Sequence, residues 1–466
     1  MILLMNRSKS SLFIYISLLF LVCTLSSIHS ISFIPNSAPF DPNNTMLLLG
    51  EEDLEKENQF TYSDEEPRYT IKLSTMGRGD PLYVWFGHSA IVIDDKVTNR
   101  SVMYDYGIFS FNEGFYKTFA LGRLWYESWA TDTLMRFAIA SEEDRNISLV
   151  TLDLPQDVAL NVLNFVNKTM QKEYSTYLYH HYKENCSTKI RDIIDIATNG
   201  EFKEFATEVP SAYTIRELVS LHTASNPFIH FTLNFLQNRS IDTPITLWEA
   251  MFLPEKLEEG VLTFNRQRID GSSIPLSLNR EVIHAAPLGI RPENNQSMLQ
   301  ANLIMFFSSI LLSLFIFFFR RGMENTRFIG MKRFYKTIYS LLSISWTLVG
   351  SVFSLVLIFM MVMSNHDVTY FNENILIISP LTLLLLLSSI KRVFSKETDY
   401  RFYESVNTIA LSLIGVLIVA KGLFPYYLYQ HNWDILVVMV PLYLMNSTFV
   451  HRFYKKRKRI INNKTW

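Results

Sequence analysis

The stretch Asn185-Cys186-Ser187-Thr188-Lys189-Ile190-Arg191-Asp192 sets a cysteine at the start of a predicted helix. One buried face of that helix is predicted by apolar residues at i, i+3, i+4, i+7 spacing, namely Ile190, Ile193, Ile194 and Ala197. A thiol in the first helical turn lies near unpaired backbone N–H groups and the positive end of the helix dipole, which favour the thiolate. Cys186 is therefore a candidate nucleophile, although most free cysteines are simply small buried hydrophobic residues.

The N-terminal region predicts export of the chain. Residues 1–32 carry Arg7 and Lys9 before an apolar run, and they are predicted to be a secretory signal or an N-terminal anchor. Residues 33–68 have few periodic apolar positions and are predicted to be a linker. If the signal is removed, Cys186 remains without a second cysteine in an oxidising compartment, which favours a free reactive thiol.

Two strand-like runs follow the linker, at residues 83–93 and 101–111, with a turn-like segment between them. Together they predict a β-hairpin that carries His88 on its first strand and Asp105 on its second. Further along, residues 134–139 and 147–154 have strand-like patterns. Helices are predicted from residue 156 to about 172 and at residues 186–197, 212–222 and 227–237.

A thiolate nucleophile needs a base or imidazolium partner, and that partner usually needs an acceptor that orients it. His88 is the preferred partner and Asp105 the candidate orienting residue. His180 and His181, just upstream of Cys186, are rivals, but adjacent residues of an extended segment point to opposite faces, so at most one could share the site. The spacing of these groups matches no familiar zinc pattern, and neither metal nor cofactor is predicted.

An aromatic segment lies between the hairpin and the cysteine helix, and it has two interpretations. It could line a groove for an acyl chain, or it could be ordinary hydrophobic core. Its members are Phe111, Phe115, Tyr116, Phe119, Trp125, Tyr126 and Trp129.

The last third of the chain predicts a five-helix transmembrane domain at residues 298–451. It contains five apolar blocks of roughly membrane-spanning length, at residues 303–319, 338–363, 375–390, 406–429 and 435–450. Lys and Arg are concentrated after the first and third blocks and in the tail 452–466, whereas residues 364–374 and 430–434 contain neither. By the positive-inside rule the tail is cytoplasmic, and five crossings put the Cys186 domain on the outer face. Nothing in the net charge of −1 points to nucleic acid.

Several motifs in this order resemble the lipoprotein N-acyltransferase Lnb family, and the five apolar blocks are similar to its membrane domain. The motifs are Gly87-His88-Ser89-Ala90, Tyr104-Asp105-Tyr106-Gly107-Ile108-Phe109, Leu121-Gly122-Arg123-Leu124-Trp125-Tyr126, the Asn185–Asp192 stretch and Thr246-Leu247-Trp248-Glu249-Ala250-Met251-Phe252-Leu253-Pro254.

The resemblance implies an α+β papain-like domain at residues 69–290, with the His-bearing strands before the Cys-bearing helix, on the periplasmic side of a bacterial inner membrane. It implies Cys186 and His88 as the catalytic pair of an acyltransferase. Phospholipid would be the acyl donor and a lipoprotein the acceptor. Asp105 stands where the family more often has Asn, so Asp105, Tyr106 or another residue could orient His88.

Two other functions are compatible with the same residues. A thiol hydrolase of the cell envelope, either a peptidoglycan amidase or a phospholipase, would use water as the acceptor. A non-catalytic envelope scaffold would merely pack Cys186. Five membrane crossings are more than a wall hydrolase needs, which favours a lipid substrate.

Overall fold

The computed structural model of the protein describes residues 67–111, 114–267, 271–287, 295–395 and 400–463, and the side chains only as far as residue 456. The predicted signal or anchor and nearly all of the predicted linker lie outside these residues.

The soluble part of the described chain is built on an antiparallel seven-stranded sheet of order β6-β4-β3-β2-β1-β5-β9, with β7 and β8 forming a separate pair. The strands are β1 Tyr69–Met76, β2 His88–Asp95, β3 Arg100–Ile108, β4 Trp125–Asp132, β5 Ile147–Leu152, β6 Thr176–Leu178, β7 Asn265–Gln267, β8 Ser273–Pro275 and β9 Ser277–His284. The predicted hairpin is confirmed as β2 and β3.

Nine α-helices precede the membrane helices in the part of the chain that the structure describes. They are α1 Phe115–Ala120, α2 Thr133–Glu142, α3 Gln156–Met170, α4 Cys186–Ala197, α5 Glu201–Glu208, α6 Ile215–Thr223, α7 Pro227–Leu236, α8 Leu247–Ala250 and α9 Pro254–Thr263. The predicted helix at Cys186 is confirmed, and so are the helix from residue 156 and the strand from residue 147.

The sheet is covered on both faces, which fixes the cysteine helix against the hairpin. Helices α3, α4 and α9 contribute to a large apolar core on one face. Ile190 and Ile194 of α4 are fully buried there, and burial of each contributes about 1.5–3 kcal/mol relative to exposure. On the other face, Phe137 and Ala140 of α2 pack against Ala90 and other residues of a smaller core.

Two predicted strand segments are not strands in the structure. Residues 134–139 were expected to be extended, but they lie within helix α2, whose start is capped by the Asp132 carboxylate accepting the Met135 N–H. The first strand of the hairpin begins at His88 rather than at residue 83, because Leu82–Val84 forms a 3-10 turn and Gly87 adopts a positive φ of 75°.

The membrane part consists of six helices within the described residues, three of which are each long and apolar enough to cross a membrane. The helices are α10 Asn295–Asn325, α11 Ile329–Met363, α12 Leu381–Phe394, α13 Arg401–Leu423, α14 Trp433–Asn446 and α15 Thr448–Asn463. The third and fifth predicted blocks are bent: Asp367–Leu376 meets α12 at 55°, and α14 meets the start of α15 at 47°. The described chain therefore offers three spans, or up to five if each bent pair is one span.

The chain forms two compact units. One comprises most of the soluble domain, and the other contains the membrane helices together with residues 120–122 and 215–243. Residues 215–243, predicted as part of the catalytic domain, cluster with the membrane helices because buried amides bind their backbone. For example, the Asn372 side-chain amide donates to the carbonyls of Phe235 (3.0 Å) and Leu236 (2.9 Å).

Candidate active site

The start of helix α4 is held by a reciprocal capping box. Asn185 Oδ1 accepts the Thr188 N–H at 2.8 Å, and Thr188 Oγ1 accepts the Asn185 N–H at 2.8 Å. This pattern satisfies two of the N–H groups that a helix start leaves without helical partners. Cys186 is the first helical residue, and the box leaves the N–H groups of Cys186 and Ser187 to other acceptors.

The segment from Thr246 to Pro254 braces the same helix start. The Asn185 amide donates to the Phe252 carbonyl at 2.8 Å, and the Arg191 guanidinium donates to the Trp248 carbonyl at 2.9 Å while stacking 3.9 Å above its ring. Pro254 lies beside Gly87, where a Cβ atom would come within 3.3 Å of the proline ring. The segment therefore contacts both the cysteine helix and the residue that precedes His88.

His88 and Asp105 form a short hydrogen bond across the hairpin. In the β2–β3 register Asp105 lies opposite Ala90, so it shares a face with His88 two residues away and is its diagonal neighbour. His88 Nε2 lies 2.7 Å from Asp105 Oδ1, and their side chains are 15% and 1% exposed. The bond occupies Nε2 and leaves Nδ1 as the ring nitrogen for the thiol.

Arg136 holds the other side of the Asp105 carboxylate. Its Nε donates to Asp105 Oδ2 at 2.9 Å. Arg136 was missed by the sequence reasoning because residues 134–139 were expected to be a strand. Helical periodicity was the available signal, since it would have put Phe137 and Ala140 toward the sheet and Arg136 beside the hairpin.

The charges of the site favour a thiolate–imidazolium pair. Burial disfavours both charged forms, but the nearby Cys186 charge and hydrogen bonds to Asp105 and Cys186 raise the pKa of His88 to about 9. The His88 charge and hydrogen bond, with the Ser89 and Ser187 N–H groups, likewise outweigh burial and lower the pKa of Cys186. At neutral pH these shifts stabilise an anionic sulfur beside a protonated ring.

The Asp105 carboxylate stays ionised despite its burial. Burial would raise its pKa, but the Arg136 guanidinium and the His88 hydrogen bond hold that pKa well below its usual range. An ionised Asp105 supplies the acceptor that fixes the His88 ring and stabilises its charge.

The other residues considered for the site have different contacts. The Tyr106 hydroxyl lies 2.6 Å from Thr169 Oγ1 and not against His88. His180 Nδ1 accepts the N–H groups of Tyr182 and Lys183. The His181 carbonyl accepts from the Asn185 amide, and the His181 ring lies 5.5 Å from that of Tyr179 and 6.2 Å from that of Phe119 between centroids. Across the described chain no group of three or more His, Cys, Asp or Glu side chains is arranged to hold a metal ion.

Gly107 allows the aromatic ring of Tyr179 to approach the thiol. It lies at the register shift between β3 and β4 with φ of 82°, a conformation that favours glycine. A Cβ atom there would lie 3.2 Å from the Tyr179 ring and 3.7 Å from Cys186 Cβ. The Tyr179 ring therefore lies close to Cys186, and burial together with the Cys186 charge raises the pKa of Tyr179 well above its usual value.

Further aromatic rings connect Tyr179 to the surface of the soluble unit. Tyr179 contacts Tyr126 at 4.5 Å between ring centroids, and Tyr126 stacks on Phe109 at 5.0 Å. Phe109 then contacts Phe111 at 5.2 Å and Phe115 at 5.6 Å. Several rings of the segment are exposed instead of forming core, namely Phe111, Tyr116, Phe119 and Trp125. We call the contacting rings of Tyr179, Tyr126, Phe109, Phe111 and Phe115 the aromatic track.

The lowered pKa of Cys186 predicts alkylation by iodoacetamide well below the ordinary thiol pKa of about 8.5. The reactive anion should disappear only as the pH falls through the lowered value. In His88→Ala the stabilising charge is gone while burial remains, so the pH midpoint of alkylation should move up to the ordinary value or above it. The measurement is the alkylation rate from about pH 4 to 10, a range that brackets both values, followed by intact mass. Identical profiles for the two proteins would contradict the ion pair.

Comparison with known families finds two matches along the chain. Residues 57–220 match the family model described as the Lnb N-terminal periplasmic domain, and residues 301–458 match that of the Lnb transmembrane domain. No curated protein and no solved structure matches the chain. The matched soluble range includes His88, Asp105, Arg136 and Cys186.

Proposed function

Because this chain belongs to the Lnb family in both its soluble and its membrane domain, we propose that it is a membrane-bound cysteine acyltransferase. It moves a fatty acyl chain from a phospholipid to the N-terminal amine of lipoproteins. The observation that carries the proposal is the charge arrangement at the start of α4, where Cys186 pairs with a His88 ring held by Asp105 at 2.7 Å. Family membership by itself supports only a membrane-associated envelope protein with a periplasmic region.

In the first step the Cys186 thiolate attacks the carbonyl carbon of a phospholipid ester. The carbonyl oxygen becomes an oxyanion, for which the Cys186 N–H at the helix start is the proposed donor. Collapse of this intermediate breaks the ester C–O bond. The His88 imidazolium gives its Nδ1 proton to the departing lysophospholipid oxygen, which leaves an acyl thioester and a neutral ring.

In the second step the α-amino group of a lipoprotein attacks the thioester carbonyl. Neutral His88 accepts a proton from the nitrogen as the amide bond forms, and the Cys186 sulfur leaves as a thiolate. The site returns to its starting charges without any external oxidant or reductant. Asp105 keeps the ring orientation in both steps, because its bond to Nε2 is compatible with either protonation state of Nδ1.

The aromatic track supports a lipid donor over a water-soluble one. It begins at Tyr179 beside the thiol and leads to rings that are exposed on the surface of the soluble unit. Exposed aromatic patches of this kind mark ligand or membrane interaction sites. We propose that the acyl chain of the thioester lies along the track.

The order of the site along the chain, with the His strand β2 before the Cys helix α4, fits the proposed papain-like arrangement.

Arg136 is a positioning residue in this mechanism, since it touches Asp105 and not the substrate. Arg136→Gln should lower the transfer rate by about 10- to 100-fold, because one charge-assisted hydrogen bond is worth about 1.5–3 kcal/mol. It should also shift the pH profile of the rate, since the Asp105 carboxylate that bonds to His88 would lose the positive charge beside it. Arg136→Lys, which keeps the charge, should restore part of the rate. A purely structural role would lower the rate of both variants without moving the profile.

Membrane topology gives a prediction that does not depend on the chemistry. A reporter fused after Trp466 should be cytoplasmic and one inserted near residue 290 should be external, because Lys and Arg cluster in alternate gaps and in the tail. The side of the membrane is measured at each position with two enzymatic reporters, one active only in the cytoplasm and the other only outside it. Both positions on one side would contradict five crossings.

Intact-mass analysis of a lipoprotein N-terminus tests the proposed function directly. Cells with the wild-type protein should add one acyl chain to the N-terminal amine, and cells with Cys186→Ala should not. A hydrolase would instead release free fatty acid or cleave peptidoglycan with the lipoprotein mass unchanged, and a scaffold would leave every product unchanged in Cys186→Ala.

A further inference from the structure

A second cluster of buried charges lies in the membrane unit, far along the chain from Cys186. Arg320 of α10 and Arg392 of α12 are only 2% and 5% exposed. Their guanidinium carbons lie 6.0 and 4.4 Å from the centroid of the same ring, that of Tyr339 on α11. Arg392 is also 4.4 Å from the ring of Tyr403 on α13. Four helices therefore enclose two positive charges.

The carboxylates of the cluster do not balance its guanidinium groups. Arg320 pairs with Glu324 at 3.2 Å and with Glu404, and Arg321 pairs with Glu324 at 2.5 Å. No carboxylate in the described chain is within ion-pair distance of Arg392, whose Nη1 donates to Ser343 Oγ at 3.2 Å. The aromatic rings around Arg392 offset part of the cost of burial. One positive charge is left without a counterion among the described residues.

Spare donors accompany that charge. Arg392 Nη2, Arg320 Nη1 and the Tyr339 hydroxyl are all buried and have no hydrogen-bond partner within the described residues. A buried donor without a partner is costly, and a buried unpaired charge more so. Both guanidinium carbons also lie near the Tyr400 ring, at 5.0 Å for Arg320 and 5.4 Å for Arg392 from its centroid, so one anion with several oxygens could meet the charge and the donors together.

We propose that Arg392, Arg320 and Tyr339 bind a phosphate group. Guanidinium N–H groups match phosphate oxygens in geometry and charge, which favours phosphate over a small spherical anion. The group would come from the head group of an anionic phospholipid or from free phosphate. The cluster lies at the helix ends next to the basic gaps 320–336 and 391–401, and basic pockets between membrane helices on the cytoplasmic side recognise lipid head groups. This site is independent of the acyl-transfer proposal.

Thermal unfolding of the purified full-length protein in neutral detergent tests the site. Inorganic phosphate, phosphatidylglycerol and phosphatidylcholine are titrated separately. The wild-type Tm should rise with phosphate or phosphatidylglycerol but not with phosphatidylcholine, because a ligand that binds only the folded state stabilises it. A rise with phosphate alone identifies a free anion as the ligand. A rise confined to phosphatidylglycerol identifies the lipid head group.

Arg392→Gln should need at least about a tenfold higher ligand concentration for the same rise in Tm, since a charge-assisted contact is lost. The matched control is Lys391→Gln, which removes an exposed charge from the adjacent position and should respond like the wild type. If Arg392→Gln does not fold, Tyr339→Phe keeps the ring, removes one donor and should weaken the response in the same direction. An unchanged wild-type Tm with both anionic probes, or equal responses of all variants, would overturn the proposal.

Discussion

Replacing Cys186 with alanine is expected to lower the acyl-transfer rate at least about a thousandfold, because removing a nucleophile disables the whole catalytic unit. No other cysteine lies in the soluble domain to form the thioester. Cys186→Ser should also lose ordinary turnover, since a serine hydroxyl does not form an anion as readily beside His88. The measurement is the initial rate of transfer from labelled phospholipid to a lipoprotein amine.

The matched control for Cys186→Ala is Lys189→Ala, in the same turn of α4. Lys189 pairs with Glu184 at 2.6 Å and is partly exposed, and such pairs contribute little to stability. This variant should keep a near-normal rate. A Cys186→Ala protein with normal turnover would favour the scaffold and remove the thioester mechanism.

His88→Ala is expected to lower the same rate by about 10²–10⁴-fold, the usual contribution of a positioned acid–base group. The double variant with Cys186→Ala should be no worse than Cys186→Ala alone, because members of one catalytic unit fail together. His180→Ala and His181→Ala are the controls and should cost far less, since His88 is the histidine whose charge lowers the pKa of Cys186. Near-normal turnover of His88→Ala would instead assign the acid–base role to His181 or His180.

The wild-type transfer rate should rise with pH on an acidic limb and fall with pH on an alkaline limb. The rate should rise with pH as the Cys186 thiolate forms, at a pH below the ordinary thiol value, because the pKa of Cys186 is lowered. It should fall again as the pH rises through about 9, where His88 loses the proton that the leaving group needs. The two limbs belong to the coupled pair rather than to either residue alone.

The sequence predicted the parts of the site that depend on local periodicity. The apolar spacing after Cys186 defined α4, and the two strand-like runs defined a hairpin that puts His88 and Asp105 on one face. The bond between them depends on the antiparallel register, which a sequence can suggest but not fix. The capping role of Asn185 could also have been anticipated, since Asn is a favoured N-cap residue.

Contacts between distant elements were not predictable in the same way. Arg136 reaches Asp105 from a helix whose apolar residues also fit a strand, and short apolar runs do not distinguish the two. Residues 215–243 join the membrane helices through bonds between side-chain amides and backbone carbonyls, which have no periodic signal. The bend in the third block lies next to Pro380, the residue that precedes α12. The fifth block also contains a proline, Pro441, but its bend lies six residues further on, at Ser447.

Trapping the acyl thioester tests the central claim most directly. The protein is incubated with labelled phospholipid in the absence of any acceptor amine, and its intact mass and peptide masses are measured. The mechanism predicts one acyl chain on the peptide containing Cys186, removable by hydroxylamine and absent in Cys186→Ala. Label that never appears on the wild-type protein, or that persists in Cys186→Ala, would contradict the mechanism.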